Sequence, residues 1–277
     1  MLSYHVHSGP TSSGKSAQAP AAAGTTPSLR PHLLLAHGAL SNSAQWTLNI
    51  DSLKEFCTPV TVELLGHGDS PSPTNLTSYE PSAYIDYFET IRRALGVDRW
   101  FLCGYSLSAG LTLRYAMTYP QQVYGHIFTN SRSAFATQEQ RQEWSESGTT
   151  TIARADEEGL GFLEKMPLHP RFATALPKAV YTPLLERSAQ LNPIGASRTL
   201  GITAPHASVR DCIEDNSAPA LLLQGVREKG FSADADFARQ AMPNLTVHEL
   251  DAGHGVNMQA AESFNKRVKD FVATCAT

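Results

Sequence analysis

From residue 31 onward, short apolar runs alternate with segments whose apolar positions recur at helical spacing. Leu33-Leu34-Leu35-Ala36 is an uninterrupted apolar run, the pattern of a strand buried on both faces of a parallel sheet, and it ends at His37-Gly38-Ala39. A helix is predicted over Ala44 to Phe56, with Trp46, Ile50 and Leu53 on one face, and a second strand over Val60 to Leu65, ending at Gly66-His67-Gly68-Asp69-Ser70. Pro81 to Leu95 repeats Tyr84, Tyr87, Phe88, Ile91 and Leu95 at helical spacing. The strand from Arg99 then runs into a helical pattern reaching Tyr119, and Val123 to Thr129 forms another strand. Between about Ser133 and Gln190 the alternation stops. Gln138 to Ser147, Glu157 to Lys165 and Ala179 to Gln190 look helical, separated by loops holding Pro167, Pro170, Pro177 and Pro183. Alternation resumes at Asn192 to Ile202, with strands at Ala218 to Gln224 and Leu245 to Leu250 and helices at Asp234 to Ala241 and Ala261 to Ala273. The expected architecture is α/β: a mainly parallel sheet with helices on both faces and a helical cap insertion. Residues 1–132 and 191–277 would form the core and 133–190 the cap, walling off a pocket above the strand ends.

The N-terminal segment differs. Leu2 to His7 alternates weakly, as an edge strand would, and Ser8 to Arg30 collapses into Ser, Gly, Ala, Pro and Thr. Such a stretch buries too little apolar surface to offset its ordering entropy, so a flexible loop interrupting a hairpin is expected. Inside it, Gly9-Pro10-Thr11-Ser12-Ser13-Gly14-Lys15-Ser16 satisfies the phosphate-loop pattern. That motif works only between a buried apolar strand and a helix whose amides face the phosphates. Here the preceding strand is polar and Ala17 to Pro31 holds three prolines, so the match is read as coincidence.

Charge narrows the partners. Lys plus Arg number 22 against 26 Asp plus Glu, a net charge of −4, and no basic run occurs, which gives nucleic acid or an anionic membrane no electrostatic support. The four cysteines, Cys57, Cys103, Cys212 and Cys275, are scattered without metal or disulfide spacing. No basic leader with an apolar core opens the chain, and no run approaches the roughly 18 apolar residues of a membrane span. A cytoplasmic protein with a small-molecule ligand is expected, its oligomeric state unspecified.

The chemistry centres on Gly104-Tyr105-Ser106-Leu107-Ser108, where a strand turns directly into a helix among small residues. This is the layout of a nucleophile elbow, which projects a serine hydroxyl from the top of a sheet. A serine needs a base, and an imidazole base needs an acid to fix its tautomer. His254, in Asp251-Ala252-Gly253-His254-Gly255, follows the last strand and so lies at the same sheet end as Ser106. The loop after the preceding strand, Val226 to Phe231, offers Glu228 as its only carboxylate, with Asp251, Asp234 and Asp236 as alternatives.

On these residues, the chain from Pro31 onward resembles the α/β-hydrolase superfamily. It is most similar to the small single-cap group of carboxylesterases, enol-lactone hydrolases, C–C bond hydrolases and 2-succinyl-6-hydroxy-2,4-cyclohexadiene-1-carboxylate synthases. The matching pieces, in order, are Leu35-Ala36-His37-Gly38, Leu65-Gly66-His67-Gly68-Asp69-Ser70, Gly104 to Ser108, Tyr119-Pro120, Gly225 to Phe231 and Ala252-Gly253-His254. The resemblance implies a catalytic triad of Ser106, His254 and Glu228, with an oxyanion hole from the backbone N–H groups of Ala39 and Leu107. It departs from the family in three places. Ser108 and Ala109 stand where glycines are usual, Glu228 replaces the commoner Asp, and Gly110 occupies the position of the arginine that holds a substrate carboxylate in the synthases.

Other residues are assigned more plainly. His37 and His67 are expected to make structural hydrogen bonds at strand ends, and His126 and His248 to be structural or exposed. Tyr105 is placed beside the pocket, Trp144 in its roof and Arg132 either at its mouth, binding an acidic substrate, or in a surface ion pair. No metal-ligand cluster or dinucleotide fingerprint is visible, so neither a metal nor a cofactor is expected. The implied activity is a serine hydrolase cleaving a small ester or lactone through an acyl-enzyme. The alternatives are a C–C hydrolase or lyase with the same triad, and a receptor-like protein with negligible turnover.

Overall fold

The structure, a computed structural model, describes residues 1–8 and 30–276. The phosphate-loop match, and all of the low-complexity stretch except its two end residues, lie outside the described residues. Seven strands form one sheet: β1 (Tyr4–Val6), β2 (His32–Ala36), β3 (Thr58–Val62), β4 (Trp100–Gly104), β5 (Val123–Thr129), β6 (Ala220–Gly225) and β7 (Leu245–Leu250). Their order is β1-β3-β2-β4-β5-β6-β7, and every pair is parallel except β1 with β3. The N-terminal hairpin expected from sequence does not form with the next strand. β1 pairs instead with β3, Tyr4 opposite Val62, because β2 is enclosed between β3 and β4 and has no free edge.

The helices are α1 (Ile50–Leu53), α2 (Pro81–Ala94), α3 (Leu107–Thr118), α4 (Gln138–Glu158), α5 (Leu160–Leu163), α6 (Lys178–Ser188), α7 (Pro193–Arg198), α8 (Ala204–His206), α9 (Ser232–Ala241), α10 (Val256–Gln259) and α11 (Ala261–Cys275). The single helix predicted over Ala44 to Phe56 is replaced by a 3₁₀ turn at Ser43–Trp46 and the one-turn α1. Buried Asn49 marks the break. Its side-chain amide donates to the Asn257 carbonyl (3.1 Å) and to Asn265 Oδ1 (2.9 Å), so the chain is fixed by polar contacts to its C-terminal end.

Successive strand residues point to opposite faces, and both faces are covered, which is why β2, β4 and β6 read as apolar runs. Leu34, Trp100 and Leu102 pack with Tyr84, Phe88 and Tyr115 of α2 and α3 on one face. Leu33, Leu35, Phe101 and Cys103 pack with Trp46, Phe264 and Val268 on the other. Because β2 and β4 to β7 are parallel, the loops that follow them all leave the same end of the sheet, so residues far apart in sequence converge there.

No strand lies between β5 and β6. Helices α4 to α8 fill that interval, and a π-helical turn at Thr199–Thr203 joins α7 to α8. This turn meets α4 backbone to backbone. A Cβ on Gly148 would come 2.5 Å from the Gly201 carbonyl oxygen, and one on Gly201 2.7 Å from that of Gly148.

On the inner face of α2, Glu89 is a buried carboxylate. It accepts hydrogen bonds from Arg92 (2.8 and 2.9 Å), Arg93 (2.7 Å) and the Tyr115 hydroxyl (2.8 Å). The Arg92 bonds above all, with Arg93 and Tyr115, outweigh burial and hold its pKa down at about 2. A depressed carboxylate adds stability above its unfolded pKa and loses it as pH falls toward the folded value. Glu89→Gln is therefore expected to lower stability by about 1–2 kcal/mol at pH 7. The gap to wild type should close between about pH 4 and 2, as read by urea denaturation across that range.

Candidate active site

At the end of β4 the chain turns into α3 through Ser106, whose φ of 53° is a left-handed conformation that a side chain rarely adopts. The turn needs close backbone approach. A Cβ on Gly104 would lie 2.2 Å from Thr112 Oγ1 and 2.5 Å from the Ser108 carbonyl oxygen, so only glycine fits. Ser108, where the resemblance expected glycine, donates its hydroxyl to the His37 carbonyl in a short hydrogen bond. It thereby ties the elbow to the loop after β2.

Ser106 Oγ lies 2.9 Å from His254 Nε2, and His254 Nδ1 lies 2.9 and 3.1 Å from the two carboxylate oxygens of Glu228. The loops bearing these groups touch: a Cβ on Gly225 would sit 2.1 Å from the Gly253 carbonyl oxygen. The alternative acids are engaged elsewhere. Asp251 faces Arg227 (3.3 Å), Asp234 faces Arg210 (3.7 Å) and Asp236 binds Arg239 (2.9 Å). Burial alone would raise the Glu228 pKa, but the hydrogen bond and charge of His254, the Asn130 amide and the Arg132 cation together hold it below its ordinary value. The Tyr105 ring packs edge-on to His254, centroids 5.3 Å apart, in a buried setting that pushes its phenol pKa upward.

Asn130 was not singled out from sequence. Its amide nitrogen donates to Glu228 Oε2 (2.8 Å) and to the Gly225 carbonyl (2.9 Å), while its oxygen accepts from the Gly225 N–H (2.9 Å). It clamps the acid loop from the end of the neighbouring strand.

The backbone N–H groups of Ala39 and Leu107 have no acceptor among the described residues, and both residues line the cavity above Ser106. The loop carrying Ala39 is strained at Leu40, φ 54°. Buried His37 supports this loop: Nδ1–H donates to the Gly38 carbonyl (2.8 Å), and Nε2 lies 3.1 Å from both the Leu64 amide and Glu63. His67 bonds the Leu65 carbonyl and His126 the Thr112 hydroxyl, and burial first of all drives the pKa of each down to about 3. His248 lies on β7, and burial lowers its pKa.

The cavity measures about 710 Å³. Tyr105, Arg132 and Trp144 line it. His169 lines it as well. This residue is buried, accepts at Nδ1 from the Arg171 N–H (3.3 Å) and has no partner for Nε2 among the described residues. A histidine within a proline-rich loop carries no sequence signal of such a position. Among the described residues, no group of three His, Cys, Asp or Glu side chains could hold a metal ion.

The family profile for the alpha/beta hydrolase fold matches residues 31–261. The chain belongs to the alpha/beta hydrolase fold family. Within this family it is similar to a putative 2-succinyl-6-hydroxy-2,4-cyclohexadiene-1-carboxylate synthase of Bacillus subtilis (strain 168), 25% identical over 247 residues that span 86% of this chain and 89% of the relative. Among solved alpha/beta hydrolase structures it resembles MenH from S. aureus, with a TM-score of 0.81, 16% identity and 99% of each chain covered. It also resembles the enol-lactonase from Burkholderia xenovorans LB400, with a TM-score of 0.73, 18% identity, and 98% and 96% covered. At such identities the two structures show the shared fold.

Gly110, the position of the synthase arginine, packs against α8: its Cβ would sit 2.2 Å from the Ala207 carbonyl oxygen. Gly110→Arg should therefore overpack the α3–α8 contact and cost about 3 kcal/mol in urea denaturation, because the backbone leaves the new side chain no room.

Proposed function

We propose that this chain is a serine hydrolase that cleaves a small carboxylic ester or lactone without a cofactor. The observation that carries this reading is the hydrogen-bonded chain Ser106–His254–Glu228 at the base of the cavity, with two unpaired backbone donors beside the serine. His254 Nε2 takes the hydroxyl proton as Ser106 Oγ attacks the carbonyl carbon. The N–H groups of Ala39 and Leu107 hold the oxyanion, each such donor being worth about 3 kcal/mol in the transition state. His254 returns its proton to the leaving alcohol, leaving an acyl-serine. Water, deprotonated by the same imidazole, then releases the acid and regenerates Ser106. Glu228 stays ionised and keeps His254 protonated at Nδ1.

In this reading α4 to α6 form a cap whose Trp144 roofs the pocket. All four cysteines are free, Cys57 and Cys103 buried, which supports a reducing, cytoplasmic setting. Among the described residues no helix is long and apolar enough to cross a membrane.

Likeness to the putative synthase supports a second reading, in which the triad acts on a C–C bond and His254 serves chiefly as a base. The Gly110 position weighs against the synthase reaction itself. A fluorophosphonate probe should label Ser106, located by peptide mass, and a panel of p-nitrophenyl esters and lactones of increasing chain length should be turned over. Turnover of vinylogous diketones with none of esters would select the second reading. Tight ligand binding with neither turnover nor labelling would leave a receptor-like protein.

A further inference from the structure

The cavity lining is divided by chain segment. Residues 166–184, with Met258 from α10, contribute surface such as Met166, Leu176 and Leu184. The segment 132–151 contributes Arg132, Ser133, Ser147 and Thr151, the last two one turn apart on the same face of α4. Among the described residues that line the cavity, Arg132 and Glu228 are the only Lys, Arg, Asp or Glu, and Glu228 is taken by His254 and Asn130. Arg132, itself exposed, is thus the one Lys or Arg that a mainly apolar cavity lining offers among the described residues.

Its surroundings supply no counter-ion in contact. No carboxylate lies within ion-pair distance of its guanidinium among the described residues; Glu228 and Asp234 feel its charge at longer range, and they face His254 at 2.9 Å and Arg210 at 3.7 Å. The backbone that carries it is held firmly. The Arg132 carbonyl accepts from the Phe135 N–H (3.2 Å), the Ser131 hydroxyl accepts from the Ala134 N–H (3.1 Å), and Ala134 and Phe135 are fully buried. Two residues earlier, Asn130 is bonded to the triad acid, so Arg132 projects from the same pinned turn that supports the catalytic groups. A surface ion pair, the other expectation for this residue, is not formed.

We infer that Arg132 is an anion anchor, and that the preferred substrate is an ester whose acyl part ends in a carboxylate remote from the scissile carbonyl. The guanidinium suits a carboxylate because its planar fork offers two parallel N–H donors. The aliphatic lining receives the rest of the molecule. This inference rests on the serine-hydrolase reading for the reaction, although anion binding can be measured without turnover.

Two esters with five-carbon acyl parts test it: p-nitrophenyl valerate, ending in a methyl group, and mono-p-nitrophenyl glutarate, ending in a carboxylate. Wild type should favour the glutarate in kcat/KM. Arg132→Gln should lower the glutarate-to-valerate ratio about tenfold or more, chiefly through the KM for glutarate, and Arg132→Lys should keep part of the preference. An equal ratio in wild type and Arg132→Gln overturns the inference. In parallel, calorimetry on Ser106→Ala protein compares binding of the two esters. Tighter binding of the glutarate that is lost when Arg132→Gln is added supports the anchor, and equal binding overturns it whatever the turnover. Turnover persisting in Ser106→Ala would instead overturn the assignment of Ser106 and leave the binding result to stand alone.

Discussion

Ser106→Ala is expected to lower kcat for p-nitrophenyl valerate by about 10⁴- to 10⁶-fold while leaving the fold intact. The Ser106 side chain makes a single hydrogen bond, to His254, and its carbonyl and neighbours hold the elbow through the backbone: Ala109 N–H bonds the Ser106 carbonyl at 2.9 Å and Ser108 N–H the Tyr105 carbonyl at 3.1 Å. Alanine keeps that backbone and takes on the same positive φ, so melting temperature should shift little. Ser106→Gly should lose activity as completely but gain about 1 kcal/mol of stability, because glycine relieves the left-handed strain. Stopped-flow and long-time hydrolysis assays, with thermal melts of all three proteins, separate these effects. Residual activity within tenfold of wild type in the alanine variant would remove Ser106 from the mechanism.

Glu228→Gln is expected to cost about 10³- to 10⁴-fold in kcat, far more than loss of one charge at a half-buried site suggests. The carboxylate accepts from His254 Nδ1 and from Asn130 at once. Both donors share Oε2, at 2.8 Å from Asn130 and 2.9 Å from His254 Nδ1, and Nδ1 also lies 3.1 Å from Oε1, so a glutamine that keeps its oxygen at the Oε2 place sets an N–H donor against Nδ1–H at the Oε1 place and removes the charge that stabilises the imidazolium. With the amide turned over, its nitrogen meets His254 Nδ1 and favours the tautomer protonated at Nε2, which cannot accept the serine proton. Because Glu228 is held below its ordinary pKa, it remains charged as pH falls from 7 toward about 4, and its protonation removes activity only below that range. Single-turnover rates of wild type and variant, carried below this interval, check the sign. An equal acid-side decline in both would show that the carboxylate charge plays no part.

The elements that the sequence disclosed best are those with one local requirement. A strand buried on both faces must be apolar throughout, as β2, β4 and β6 are, and an elbow must have small neighbours, so Ser106 stood out before any fold was known. His254 and Glu228 were legible because parallel strands deliver their following loops to one end. Features decided by long-range partners were not. Asn130 resembles any polar residue after a strand until Gly225, 95 positions later, is brought against it. The predicted helix over 44–56 breaks because Asn49 is drawn to Asn257 and Asn265, more than two hundred residues away, a polar competition invisible to apolar periodicity. The α4 crossing at Gly148 and Gly201 likewise shows in sequence only as two unremarkable glycines.

The Asn49, Asn257 and Asn265 contacts have a consequence for synthesis. The proposed nucleophile and both proposed oxyanion donors lie within the first 107 residues, whereas the proposed base at 254 and the side chains that fasten its loop to the early part of the chain come from the last few dozen. Chains grow from the N-terminus, so Ser106 is synthesised well before the imidazole proposed to activate it. In the proposed mechanism, a nascent polypeptide therefore turns over no ester until the segment bearing His254 has been made and docked.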